Sequence, residues 1–135
     1  MINREELVKR ALDAREKAYS PYSDFCVGAA LLCDDGEIFE GANIENCSFG
    51  ATNCAERTAI FSAVYAGKRS FRAIAIVGGS RGEEVNEYCP PCGICRQVLA
   101  EFCSADAEII LFDGKNIKVR KMIEMLPEVF DGANL

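Results

Sequence analysis

Eight cysteines in a chain of 135 residues need a use for their sulfur, and three of them carry a spacing that draws separate segments to one point. Cys92 and Cys95 stand three positions apart at the opening of a predicted helix behind Pro91. Residues at that spacing share a helix face, so both sulfurs can reach one ion. Cys54, at the opening of another predicted helix, supplies a third sulfur. Two helix N-termini must then meet at the metal. Disulfides are a poor use for these thiols. The first residues, MINREELVKR, have no apolar core of signal-peptide type, and no apolar run approaches the roughly eighteen residues that span a bilayer. The expected compartment is the cytoplasm, where thiols stay reduced and cysteine-rich patterns serve metal binding or catalysis.

The length suits one compact domain, 1–135, and is too short for two. Half of the residues are hydrophobic, as in globular proteins. A net charge of −6 argues against a nucleic-acid binder, which carries a basic stripe, and a small substrate is the better expectation. No membrane partner is expected.

Periodicity predicts a helix over 5–18, with Asn3 and Glu6 at capping-box spacing before it and Ser20-Pro21 as its break. Strands follow at 26–33 and 37–42, joined by Asp34-Asp35-Gly36, a hairpin signal. A helix over 54–66 stops at Gly67, and FRAIAIV, 71–77, reads as a buried strand. The polar stretch 79–88 is a long loop. A third helix runs to Phe102, with strands at 108–112 and 117–119 and a short helix at 121–125 before Pro127. This order predicts an α/β sandwich with a mixed sheet.

Thiolate sulfur suits zinc at tetrahedral geometry, and a catalytic zinc keeps one position open for water. Three thiolates and Zn²⁺ sum to −1, a charge that two helix N-termini and the neighbouring Arg57 would offset. Glu56 lies two residues after Cys54, near enough to take a proton from activated water without ligating the ion. The alternative for Glu56 is a capping box with Asn53. Cys89, Cys92 and Cys95 also open a ferredoxin-type motif, but the next cysteine is Cys103, eight residues on and followed by Ser104, which does not continue it. A closed structural site of Cys54, Cys89, Cys92 and Cys95 is disfavoured by the stiff Pro90-Pro91 between two of its members. Cys26, Cys33, Cys47 and Cys103 are expected to be packing residues.

CAERTAI, 54–60, and PCGICRQVL, 91–99, closely resemble the two zinc motifs of the cytidine deaminases, a signature in which three Cys can replace one His and two Cys. SPYSDF, 20–25, followed by VGAA, 27–30, is similar to that family's N-terminal strand entry. GANIEN, 41–46, is similar to its nucleoside-binding segment, and Leu126-Pro127 with Phe130 to its C-terminal end. The resemblance spans nearly the whole chain. It implies a three-layer α/β/α sandwich on a mixed five-stranded sheet, with one Zn²⁺ per chain held by Cys54, Cys92 and Cys95.

By the same resemblance Glu56 is the proton carrier. Asn43 and Glu45 bind the sugar hydroxyls, Phe25 lies against base or sugar, and the Ala55 N–H meets the pyrimidine carbonyl. Phe130 comes from a neighbouring subunit of a homotetramer, and Arg57 supports the thiolates. Cysteine at position 54, where relatives acting on nucleotides, tRNA or guanine carry His, implies a free nucleoside: cytidine or deoxycytidine, hydrolysed to uridine or deoxyuridine and ammonia. The rival expectations are a deaminase of a cytosine-bearing nucleoside analogue and a zinc-stapled binding module without chemistry.

Overall fold

A strand buried on both faces must be apolar nearly throughout, and Phe71–Ser80 (β3) is: only Arg72 and Ser80 are exposed. A computed structural model describes residues 1–135 and sets β3 at the centre of a five-stranded sheet. The strand order is β2-β1-β3-β4-β5, with β1 at Phe25–Cys33, β2 at Ile38–Ala42, β4 at Cys103–Phe112 and β5 at Ile117–Lys121. Every pair is antiparallel except β3 and β4. A parallel pair needs a crossover, and helix α3 (Gly93–Phe102) lies within it.

Successive side chains of β3 point to opposite faces, and each face meets a different layer. Ala73, Ala75 and Val77 pack with Leu7, Val8 and Ala11 of α1 (Arg4–Arg15). Ile74 and Ile76 pack on the other side with Ala59, Ile60 and Ala63 of α2 (Ala55–Tyr65), Leu99 of α3 and Met122 of α4 (Met122–Met125). The sheet is mixed and the architecture is the three-layer α/β/α sandwich expected. No helix is long and apolar enough to cross a membrane.

Some boundaries differ from the periodicity. The first helix ends at Arg15, because residues 16–18 turn through the bonds Lys17 N–H to Ala14 O and Ala18 N–H to Arg15 O, delivering Tyr19 to a bridge with Ile44. Asn3 caps this helix by accepting from the Glu6 N–H at 3.0 Å. Strand β3 runs on through Gly78 and Gly79, where β1 continues to pair with it. Strand β4 starts at Cys103, directly after α3, although its first residues are largely exposed. Among the cysteines expected to pack, Cys26 and Cys33 are buried and Cys103 is partly so, but Cys47 is exposed. It stands just before the 3-10 turn Phe49–Ala51, outside all three core clusters.

One close approach fixes where α2 begins. A Cβ on Gly41 of β2 would stand 2.5 Å from Ala55 O and 2.5 Å from Ala59 N. Only a residue without a side chain lets the first turn of α2 sit down on the sheet.

Candidate active site

Cys54 is the N-cap of α2 and Cys92 the N-cap of α3, while Cys95 is the third residue of α3 and fully buried. Their sulfurs lie within 4.8 Å of one another, and Cys54 Sγ and Cys92 Sγ are 4.0 Å apart. Two Zn–S bonds of about 2.3 Å at a tetrahedral angle set sulfurs about 3.8 Å apart, so the spacing fits zinc. Two helix N-termini face this cluster and favour negative charge there. Cys92 Sγ accepts the Cys95 N–H at 3.4 Å.

Arg57 supplies the counter-charge. Its Nη2 donates to Cys54 Sγ at 3.4 Å and to Thr52 O at 3.5 Å, and its Nε is buried with no partner. A buried cation with an unpaired donor is costly unless anionic groups stand against it, and thiolates are the anions at hand. The neighbouring Cys95 thiol, helped by Arg57, brings Cys54 down to about 5, while the neighbouring Cys54 and burial push Cys95 up. Three converging sulfurs, two helix N-termini and a guanidinium therefore fit one Zn²⁺.

Glu56, the second residue of α2, is only 4% exposed. Burial pushes its carboxyl up to about 7, and the Cys54 thiolate adds to the rise. The capping box with Asn53 is not formed: Cys54 takes the cap position, and Asn53 Nδ2 donates to Thr58 Oγ1 at 3.0 Å. Ala55, at the first position of α2, is fully buried, and no protein acceptor meets its N–H, as is usual in a first helical turn.

The structure brings Cys54, Ala55, Glu56, Arg57, Cys92 and Cys95 together. Phe25, Asn43 and Glu45 form a second group, tied by backbone bonds. Asn43 is 8% exposed; its Oδ1 accepts the Val27 N–H at 2.8 Å and its Nδ2 donates to Phe25 O at 2.9 Å. Glu45 accepts the N–H groups of Tyr22 and Ser23 at 2.9 and 3.2 Å, and the Ser23 hydroxyl donates to its other oxygen. That hydroxyl, more than the backbone bonds, holds Glu45 below the usual carboxylate range. Phe25, 40% exposed, lines a cavity of about 400 Å³ with Gly78, Tyr88 and Cys89. Phe130 stands 61% exposed, its carbonyl accepting from Gln97 Nε2 at 2.8 Å.

Cys89 is outside the sulfur cluster. A Cβ on Gly78 would stand 2.8 Å from Cys89 Sγ, so the thiol lies flat against the strand. Burial raises it to about 11, and the charges of Glu56 and Cys54 add to the rise. The closed four-cysteine arrangement is therefore not what the chain builds.

Residues 1–111 match the family described as the cytidine and deoxycytidylate deaminase zinc-binding region. The chain belongs to this deaminase family. A cytidine deaminase of Halalkalibacterium halodurans is 47% identical over 99% of this chain and 98% of its own length. One from Sporosarcina psychrophila is 47% identical over 97% and 93%. The crystal structure of a cytidine deaminase from Burkholderia pseudomallei superposes with a TM-score of 0.86 at 45% identity, covering 96% of this chain and all of that one. The five-stranded sheet and its helical layers are thus the cytidine deaminase fold, and the three-cysteine cluster is consistent with the one zinc of this zinc-binding family.

Three arginines around the site went unnoticed in the sequence, because a charge in a loop or on a helix reads as a solvated residue. Arg15 is buried and donates to Cys26 O, Ser80 O and Glu83 O, holding the exit of β3. Arg81 donates to Asp24 Oδ1 and Ser20 Oγ. It thereby pins Asp24, whose φ of 59° is unusual for a residue with a side chain, immediately before Phe25. The only signal for any of them was position: Arg96 lies inside PCGICRQVL and Arg15 five residues before SPYSDF, whereas Arg81 had none.

Proposed function

We propose that residues 1–135 form a single cytidine deaminase domain that hydrolyses cytidine and deoxycytidine to uridine and deoxyuridine with release of ammonia. The observation that carries this reading is the buried Glu56 carboxylate two residues from a ligand sulfur, at the meeting point of two helix N-termini. Cys54, Cys92 and Cys95 hold the zinc, which, when bound, supplies the Lewis acidity that makes hydroxide available from water near neutral pH.

Glu56 takes the proton of the attacking water and passes it to N3 of the cytosine ring, which makes the amino-bearing carbon electrophilic. The water oxygen bonds to that carbon. Glu56 takes the remaining proton of the added hydroxyl and delivers it to the exocyclic nitrogen, so that the C–N bond breaks, ammonia leaves and a carbonyl remains. Arg57 keeps Cys54 anionic. The Ala55 N–H receives the pyrimidine carbonyl, and Phe25 walls the base or sugar. Asn43 and Glu45 take the sugar hydroxyls. Because the hydrogen-bonding atoms of both side chains are engaged within the chain, sugar recognition requires them to share those bonds or exchange them.

Phe130, exposed in one chain, reaches the site of a neighbouring copy in a homotetramer. The cytoplasm is the compartment that suits a site of three reduced thiols. An ultraviolet assay of the zinc-loaded protein across cytidine, deoxycytidine, cytosine and their phosphates tests the substrate. Loss of cytidine and deoxycytidine absorbance, with little change for free base or phosphates, is the expected profile. A protein that holds zinc and turns over none of them would be a binding module instead.

A further inference from the structure

Cys92 is the most exposed of the three cysteines, and no cationic side chain donates to its sulfur as Arg57 does to that of Cys54. What fixes its position is the backbone. Pro91, directly before it, is fully buried. No backbone N–H reaches the Pro91 carbonyl. Arg96 supplies that bond: its Nε donates to Pro91 O at 2.8 Å while its Nη1 donates to Met125 O at 2.9 Å. One planar guanidinium therefore ties the peptide entering Cys92 to the end of α4.

We propose that Arg96 is a positioning residue for the zinc site, setting the direction of the Cys92 sulfur by clamping the Pro91 carbonyl against Met125. This rests on Cys92 being a zinc ligand. The fork geometry matters, since two carbonyls are engaged at once by donors held in one plane. A lysine offers a point charge that reaches one carbonyl or the other. Residues that orient metal ligands without touching the metal contribute about ten- to a hundredfold in metal affinity when lost. The neighbouring Gln97 makes a similar bond to the same C-terminal stretch, to Phe130 O, but has no contact with the Pro91 peptide.

The test is zinc transfer to a chromogenic chelator from the zinc-loaded full chain, for the parent and for Arg96→Lys, Arg96→Ala, Gln97→Ala and Ile110→Ala. Ile110 is buried on the α1 face of the sheet, so its truncation lowers stability away from the metal. The expected result is zinc affinity about ten- to a hundredfold weaker in Arg96→Ala and a partial loss in Arg96→Lys. Gln97→Ala and Ile110→Ala should match the parent. Absorption of the cobalt-substituted proteins should shift for the Arg96 variants alone. If Arg96→Lys holds zinc as the parent does, or loses it only as much as Ile110→Ala does, the clamp is wrong. If Arg96→Ala does not fold, Arg96→Lys decides. Cys92→Ser separates the two levels: if it keeps zinc at parental affinity, the ligand assignment itself fails, whereas its loss alongside intact zinc in the Arg96 variants overturns only the clamp.

Discussion

Cys89 and Cys92 differ by three positions and by everything that decides whether a thiol binds metal. Cys92 caps a helix, beside the sulfurs of Cys54 and Cys95. Cys89 lies against Gly78, with its sulfur outside the cluster that the other three form. The expected outcome is that Cys89→Ala retains one zinc per chain, whereas Cys92→Ala loses most of it, as read by metal analysis after dialysis. Residue types and spacing made Cys54, Glu56, Cys92 and Cys95 legible in advance. What spacing could not convey is which of two nearby cysteines turns inward to the strand. Asn43 and Glu45 show the same limit: only the resemblance of GANIEN singled them out, and their bonds to Val27, Phe25, Tyr22 and Ser23 depend on segments far away in the chain.

The elements deliver these residues through helix starts. α2 can begin at Ala55 only because Gly41 leaves room for it. Gly41→Ala would drive a methyl into backbone atoms at 2.5 Å, which cannot rotate away as a side chain can. It should cost at least about 1–3 kcal/mol, the usual penalty of overpacking, and loosen zinc by shifting Cys54. Urea unfolding monitored together with zinc content checks both. Hairpin, helices and central strand were legible because their apolar periods are regular, and α2 and α3 fall within a residue or two of expectation. The far end of β3 and the start of β4 were not. Gly78 and Gly79 look like loop residues, but β1 extends beside them and supplies their pairing. Residues 103–107 begin a strand whose first side chains face outward, so no alternation announces it.

At the scale of the whole molecule, segments beginning at residues 54 and 91 meet because α2 and α3 pack on the same face of one sheet. The sequence motifs implied that meeting, and the layer arrangement explains it physically: apolar residues on alternate positions of β3 commit each helix to a side. Arg96, which braces the meeting point, lay beyond the reach of pattern, since one of its two partners is the Met125 carbonyl at the end of α4. All of this serves one chemical claim, that a carboxylate held at the edge of a three-thiolate zinc site moves protons between water and a cytosine ring. Glu56→Gln keeps the shape of the side chain and removes its capacity to carry a proton. The decisive measurement is kcat for cytidine in Glu56→Gln protein shown to carry its zinc. A fall of about 10²–10⁴-fold is predicted for the loss of a general acid–base group, and activity within about tenfold of the parent would contradict the assignment.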